Sequence, residues 1–277
     1  MNREKTAEDL QALNQETQEI WNQNAVWWDE QIGEGNLFQK MLISPATESL
    51  LEEISGKVIL DIACGNGVFS RRLAQLGAEV VACDFSEMLL ECAKARTKEH
   101  VERIEYKLID ATNETQLLTL GKRRFDAVVC NMALMDMATI NPLISALGQL
   151  LKVGSCFIFS VLHPCFNTNG CKMVVEEEDR SGELITTYAV KVSQYLRLPP
   201  AKGLGIIGQP TPHYYFHRSL SLLFNTCFSA GFVLNGIEEP AFDLKANGDR
   251  PFSWANYKDI PPVLVARMRL MQTPTSD

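Results

Sequence analysis

From Lys57 onward, short apolar runs alternate with amphipathic stretches. KVILDIA (57–63) is an apolar run of buried-strand length. FSRRLAQL then places Phe69, Leu73 and Leu76 on one helical face, and Gly77 ends it. AEVVACD (78–84) reads as a second strand, with Ser86 placed to cap a helix over EMLLECAKARTKEH. IEYKLID (104–110) and RFDAVVCNM (124–132) read as the third and fourth strands. INPLISALGQLLKV reads as a helix with Pro142 in its first turn and Gly154 after it, and SCFIFSVL (155–162) as a fifth strand. Strands alternating with helices predict a parallel sheet covered on both faces. Ligands of such sheets lie beyond the carboxyl ends of the strands, at the point where strand order reverses. Asp61–Gly67, Asp84, Asp110, Asn131 and His163 all fall at such ends.

On either side the pattern changes. Residues 5–20 predict a solvated helix, followed by three tryptophans in eight residues: Trp21, Trp27 and Trp28. From Pro164 to about His217 the alternation breaks. A β-hairpin is predicted around Ser181-Gly182, and RLPPAKGLGIIGQPTPHYY (197–215) is a Pro/Gly-rich loop. A helix then resumes, with Leu220, Leu223, Phe224, Cys227 and Phe228 in one stripe closed by Gly231. FVLNGIEEP and PVLVARMRL predict two last strands. The expected fold is α/β: a doubly wound, mostly parallel seven-stranded sheet with helices on both faces. Residues 1–54 form N-terminal helices and 55–277 the main domain, with 164–217 inserted after the fifth strand as a lid over the ligand edge.

Composition narrows the partners. The chain has 277 residues, 46% of them hydrophobic, enough for one domain with an insertion. Its formal net charge is −8, and its longest basic block is Lys122-Arg123-Arg124. A nucleic-acid or anionic-membrane partner is disfavoured. The first residues, MNREKTAEDLQALNQ, lack the apolar core of a signal peptide, and apolar windows such as CFIFSVL are too short to span a bilayer. Of eight cysteines, Cys83, Cys130, Cys156 and Cys227 sit in runs that read as buried, as reduced cysteines do. A soluble cytoplasmic protein is expected.

The stretch from Lys57 to Met88 carries the chemistry: strand, glycine-bearing turn, helix, strand, acid. A dinucleotide site has G-x-G-x-x-G after its strand. Here Gly65-x-Gly67 is followed by Ser70, and Asp61 ends the strand ahead of the turn. The run D-x-A-x-G-x-G resembles the first motif of class I S-adenosylmethionine-dependent methyltransferases, with Ala63 in place of the first glycine. In register with it come Asp84, 17 residues past Gly67, then Asp110 in IDAT and Asn131-Met132 in FDAVVCNMALMDM. The resemblance covers roughly 55–162 and, more loosely, 218–270, and implies a last strand running antiparallel. It implies that Asp61, Ala63, Cys64, Gly65 and Gly67 meet the methionine part of S-adenosylmethionine. Asp84 would take the ribose hydroxyls. Phe85, Met88, Asp110 and Ala111 would lie around the adenine, and Asn131 and Met132 would line the cofactor. Trp28, or a neighbouring tryptophan, would cover the sulfonium, or else anchor the N-terminal helix.

Methyl transfer from a sulfonium requires positioning and water exclusion, and a base only where the acceptor must lose a proton. NMALM lacks the [DNS]-P-P-[YFW] run of enzymes that methylate amide or adenine nitrogens. The expected activity is transfer to a small molecule, oxygen first and nitrogen second, with S-adenosylhomocysteine as product. His163 is the candidate general base, His213 and His217 follow it, and Arg218 could hold an acidic substrate. His163, Cys165 and Cys171 form no recognisable metal spacing, and no metal is expected. Two alternatives stand: an NAD-dependent oxidoreductase, for which Ser70 is the wrong residue and no Tyr-x-x-x-Lys appears, and a cofactor-binding module without catalysis.

Overall fold

The computed structural model describes residues 6–243 and 248–271. Helices α1 (Ala7–Ile32) and α2 (Ser44–Leu50) precede the predicted alternation. It runs β1 (Val58–Ile62), α3 (Val68–Gln75), β2 (Glu79–Asp84), α4 (Glu87–Arg96), β3 (Ile104–Leu108), α5 (Glu114–Leu118), β4 (Phe125–Asn131), α6 (Asn141–Leu150) and β5 (Leu151–Leu162). The inserted segment holds β6 (Cys171–Arg180), β7 (Glu183–Val192), β8 (Ala201–Gly203) and β9 (His213–Tyr215). Helix α7 (Leu220–Ser229) and strands β10 (Phe232–Glu238) and β11 (Val263–Leu270) follow.

Seven strands form one sheet in the order β10-β11-β5-β4-β1-β2-β3. Strands β1 to β5 are mutually parallel, and β11 is antiparallel to both β5 and β10, as expected. The chain leaves β1 in one direction through β2 and β3, then returns to β4 on the other side. The order therefore reverses between β1 and β4, and a crevice opens at their carboxyl ends. Alternate residues of each strand feed two cores. Leu60, Ile62, Val81 and Cys83 join α5, α6 and α7, whereas Ile59, Val80 and Ala82 join α2 and α3. Among the described residues no helix is long and apolar enough to cross a membrane.

Two boundaries differ from the sequence reading. The helix expected to reach Val153 ends at Leu150, because Leu151 pairs with Phe125 and starts β5 early; the exposed Lys152–Gly154 stretch is absorbed as a register shift. The helix expected over 5–20 continues to Ile32 and carries all three tryptophans. A capping box starts it: Asp9 N–H donates to Thr6 Oγ1 and Thr6 N–H to the Asp9 carboxylate. Thr17, Ile20, Trp21, Asn24 and Ala25 form its buried stripe at helical spacing. Two of these are polar, so the stripe does not read as apolar in sequence.

Polar contacts explain that burial. Gln18 Nε2 donates to the Phe85 carbonyl at 2.6 Å, and Arg96 of α4 pairs with Asp29. Burial pushes the Asp29 carboxyl upward, but the hydrogen bonds from Arg96 and Asn66 outweigh it and hold the net value low. On the other flank, Asn24 Nδ2 donates to the Thr211 carbonyl at 2.7 Å, and Thr211 N–H returns a bond to Asn24 Oδ1 at 3.1 Å. Tyr214 Oη and Lys202 Nζ both donate to Glu16. Helix α1 is thus fastened to the sheet by α4 and to the inserted segment by Asn24. Replacing Asn24 by Ala leaves the Thr211 N–H unpaired, while its carbonyl keeps the bond from Gln209 Nε2, at a cost of about 1–3 kcal/mol. Urea unfolding should register that loss, and hydrogen exchange should rise selectively around Thr211.

Candidate functional site

The crevice between β1 and β4 widens into a cavity of about 890 Å³. The first turn at its base owes its shape to left-handed backbone: φ is 53° at Ala63, 56° at Gly65 and 75° at Gly67. At Gly67 a Cβ would also lie 2.6 Å from Tyr106 Oη, so only glycine fits. Gly67 caps α3 and faces β3 and α4 rather than the cavity. At Gly65 nothing lies within 4 Å of where a Cβ would be, and its N–H is spent on Asp84 Oδ2 at 2.9 Å.

Both carboxylates beside this turn are buried, Asp61 at 2% exposure and Asp84 at 3%. Asp84 ends β2 and also accepts the Ser86 N–H at 2.9 Å. Asp61 accepts from Ser70 Oγ at 2.5 Å. Ser70, the residue that stands where a dinucleotide site needs glycine, is therefore the group that holds Asp61. Burial, with a smaller contribution from Asp84, lifts the Asp61 carboxyl to about 7. Burial lifts Asp84 to about 6, against the pull of its backbone hydrogen bonds. Burial and the same two acids push the Cys64 thiol well up, so it is present as a neutral thiol.

The other strand ends converge on the same space. Asp110 is held by Thr112, whose N–H and Oγ1 each donate to its Oδ1 at 2.7 Å, and Ala111 follows it on the cavity wall. Asn131 Oδ1 accepts from Thr47 Oγ1 at 3.0 Å and Ser160 Oγ at 2.9 Å, which leaves its Nδ2 buried with no partner among the described residues. Met132 (φ 56°), Phe85 and Trp28 complete the wall. Trp28 lies edge-on to Trp21 with centroids 4.9 Å apart, and both approach His213.

Not every expected residue arrives. Met88 points outward from α4, 39% exposed and away from the wall. His163 is buried outside the cavity wall, stacked on Phe166. Its Nδ1 accepts the Cys165 N–H at 3.1 Å, so its proton resides on Nε2 and is directed at Glu239, 2.8 Å away. Both ring nitrogens are engaged, and burial pushes the imidazole below its ordinary range despite Glu239. His217 donates to the Tyr195 carbonyl at 2.5 Å, fastening the inserted segment. Arg218 donates to the carbonyls of Leu134, Phe216 and Met137. The sequence reading also missed two residues. Asn66 is buried in the glycine turn and donates to Asp29 and to the Gly33 carbonyl. Asp136 lines the cavity from the short turn after β4; its signal was a lone acid inside the apolar run NMALMDM.

Comparison with known proteins adds an independent line. Residues 59–154 match the family profile described as a methyltransferase domain. A ubiquinone biosynthesis O-methyltransferase of Coxiella burnetii is 30% identical over 143 residues, covering 50% of this chain and 58% of that protein. The chain thus spans under two thirds of the length of that relative. A solved S-adenosylmethionine-dependent methyltransferase from Mesorhizobium loti superposes with a TM-score of 0.62 at 25% identity, over 81% of this chain and 96% of that one. The magnesium protoporphyrin IX methyltransferase of Synechocystis, at 17% identity, a TM-score of 0.56 and coverage of 93% and 99%, shares the fold.

The two buried acids have a pH signature. Their folded pKa values, about 7 and about 6, exceed the unfolded value of about 3.9. Their stabilising contribution is full below about pH 4 and is lost as pH rises through the folded values. Asp61→Asn imitates the protonated form, so in the ligand-free protein it should melt above wild type at about pH 8, with the gap narrowing below about pH 7 and closing only near pH 4. About 1 kcal/mol corresponds to about 2–4 °C at this size, so a gap of several degrees is expected. Buried His213 titrates in the opposite sense in both proteins and cancels in the difference. Strand order, the domain match over residues 59–154 and the Mesorhizobium likeness all agree: the chain carries a methyltransferase domain with the class I S-adenosylmethionine-dependent methyltransferase fold.

Proposed function

We propose that this chain transfers the methyl group of S-adenosylmethionine to an oxygen of a small-molecule acceptor, leaving S-adenosylhomocysteine. The observation that carries the reading is the pair of buried carboxylates, Asp61 and Asp84, on either side of a glycine turn at the switch point. Each retains acceptor capacity toward the cavity, and burial disfavours its charge until a donor or cation arrives. Asp61 suits an ammonium group, Asp84 a pair of ribose hydroxyls, and Asp110, Ala111 and Phe85 an adenine. When bound, the sulfonium supplies an activated methyl group; the chain's own residues orient the acceptor and exclude water.

Further support comes from the cover. Helix α1 and the 164–217 segment are fastened to each other and both contribute to the cavity wall, through Trp28 from one and Leu204, Ile206 and His213 from the other. We read them as the lid that closes the site. Oxygen is favoured over nitrogen by the likeness to relatives named as O-methyltransferases. The dinucleotide alternative loses support because Ser70 Oγ holds Asp61, where that site needs close helix–strand packing on glycine. A small neutral or cationic acceptor, rather than nucleic acid, suits a wall that carries Asp61, Asp84, Asp110 and Asp136 and a chain of net charge −8. Eight free cysteines are consistent with a reducing cytoplasm.

Calorimetric titration tests the cofactor. S-Adenosylhomocysteine should bind with a Kd on the order of micromolar, while NAD gives no heat. Asp84→Ala should weaken binding about 10- to 100-fold, hydrogen bonds to a charged acceptor being worth about 1.5–3 kcal/mol. Binding of NAD alone would sink the reading.

A further inference from the structure

Apart from the exposed Asp249 at the rim, the cofactor residues leave one acid in the cavity without a task. Asp136 sits in the 3-10 turn Leu134–Asp136, directly after the β4 residues that face the cofactor space. Its Oδ1 is buried and has no hydrogen-bond partner among the described residues. The nearest polar group opposite it is His213 Nε2, at 3.8 Å, beyond hydrogen-bond reach.

The surrounding network sets the state of that histidine. Gln209 Oε1 accepts the Gly205 N–H at 2.9 Å, so the amide's other end is the donor. That Nε2 donates to the Thr211 carbonyl at 2.7 Å and to His213 Nδ1 at 2.9 Å. Nδ1 is therefore the accepting nitrogen, and the proton of the neutral ring sits on Nε2, facing Asp136. Burial pushes His213 down to about 4, so it stays neutral near pH 7 and provides no counter-charge. The other groups around Asp136 do not neutralise it either. Asp84 on β2 is a like charge. Tyr215 on β9 is kept protonated, by burial first and Asp136 second. The Arg218 guanidinium is committed to the carbonyls of Leu134, Phe216 and Met137, at 2.8, 3.3 and 2.6 Å, and so clamps the turn that carries Asp136. Burial above all, with Asp84 second, raises the proton affinity of Asp136 well above that of an ordinary carboxyl.

The geometry points to Asp136 as the catalytic residue that takes the proton from the acceptor's hydroxyl, with His213 and Arg218 as positioning residues; this rests on the methyl-transfer reading above. In the step, the acceptor's O–H bond breaks and the proton bonds to the Asp136 carboxylate. The oxygen's electron pair forms the bond to the methyl carbon, and the carbon–sulfur pair stays on sulfur. A carboxylate whose proton affinity is raised takes a proton from a hydroxyl more readily than an ordinary one does. It also defines what this end of the cavity accepts: an uncharged, proton-bearing group, because an anion would meet Asp136 and Asp84 together. The surrounding wall of Trp21, Trp28, Met135 and Tyr215 suits an apolar, flat body behind that group.

The test uses the full chain saturated with S-adenosylhomocysteine and 4-nitrophenol as probe, whose phenol and phenolate forms absorb at different wavelengths. Absorbance of the bound probe is followed from about pH 5 to 10. In wild type the second ionisation places two negative charges side by side, so full phenolate absorption should require a pH about one unit or more above that needed in Asp136→Asn. Asp136→Glu should behave as wild type, and Asp136→Ser as Asp136→Asn. Retained binding of S-adenosylhomocysteine by each variant reports an intact fold. The proposal is overturned if the bound probe titrates alike in wild type and Asp136→Asn, or if the wild-type complex does not take up the probe at all. Failure of wild type to bind S-adenosylhomocysteine is a separate outcome and strikes the parent reading instead.

Discussion

Everything at the functional end of this protein depends on keeping two carboxylates out of water beside a tight turn. Isolated buried charges of that kind are expensive, and each is tolerated because small donors meet it: Ser70 for Asp61, and the Gly65 and Ser86 amides for Asp84. The turn must therefore be left-handed at Gly65 and Gly67, since only that path turns the Gly65 N–H toward β2 while α3 packs under Tyr106 and Ala93. Helix, turn and both strand ends are bound into one constraint. It sets both acids on the cavity wall, where the proposed cofactor would meet them.

The second constraint is closure. An 890 Å³ cavity at a sheet edge is open unless something covers it. Here the cover comes from both ends of the chain order, α1 before the sheet and the inserted segment after β5, joined by the reciprocal Asn24–Thr211 bonds. Gly205 lets this cover approach closely: a Cβ there would lie 2.8 Å from the Trp28 ring and 3.1 Å from His213. The aromatic cluster thus anchors α1 and lines the cavity wall at once.

His163 and Asp136 show how local sequence and tertiary placement divide the work. Both follow a strand that ends at the ligand edge. His163 looked the better base by residue type, yet Pro164 turns the chain so that Cys165 N–H occupies one ring nitrogen and Glu239, from after β10, receives the proton of the other. Asp136 drew no reading of its own from the sequence. It gained its isolation only when β9 laid a neutral imidazole opposite it and Arg218 fixed the turn beneath.

The chain by itself determined the doubly wound sheet, the antiparallel last strand, the glycine turn and the acids at three strand ends. These follow from period-two and period-3.6 patterning and from turn chemistry, which act between residues close in sequence. Tertiary structure alone decided which of those side chains face the cavity, how far α1 runs, and what each histidine can do with its proton. The stripe Thr17–Ile20–Trp21–Asn24–Ala25 is invisible as an apolar pattern because Asn24 is buried by a partner 187 positions away. Protonation at Asp61, Asp84 and Asp136 is likewise a property of burial and of neighbours on other strands, and no window of local sequence contains either.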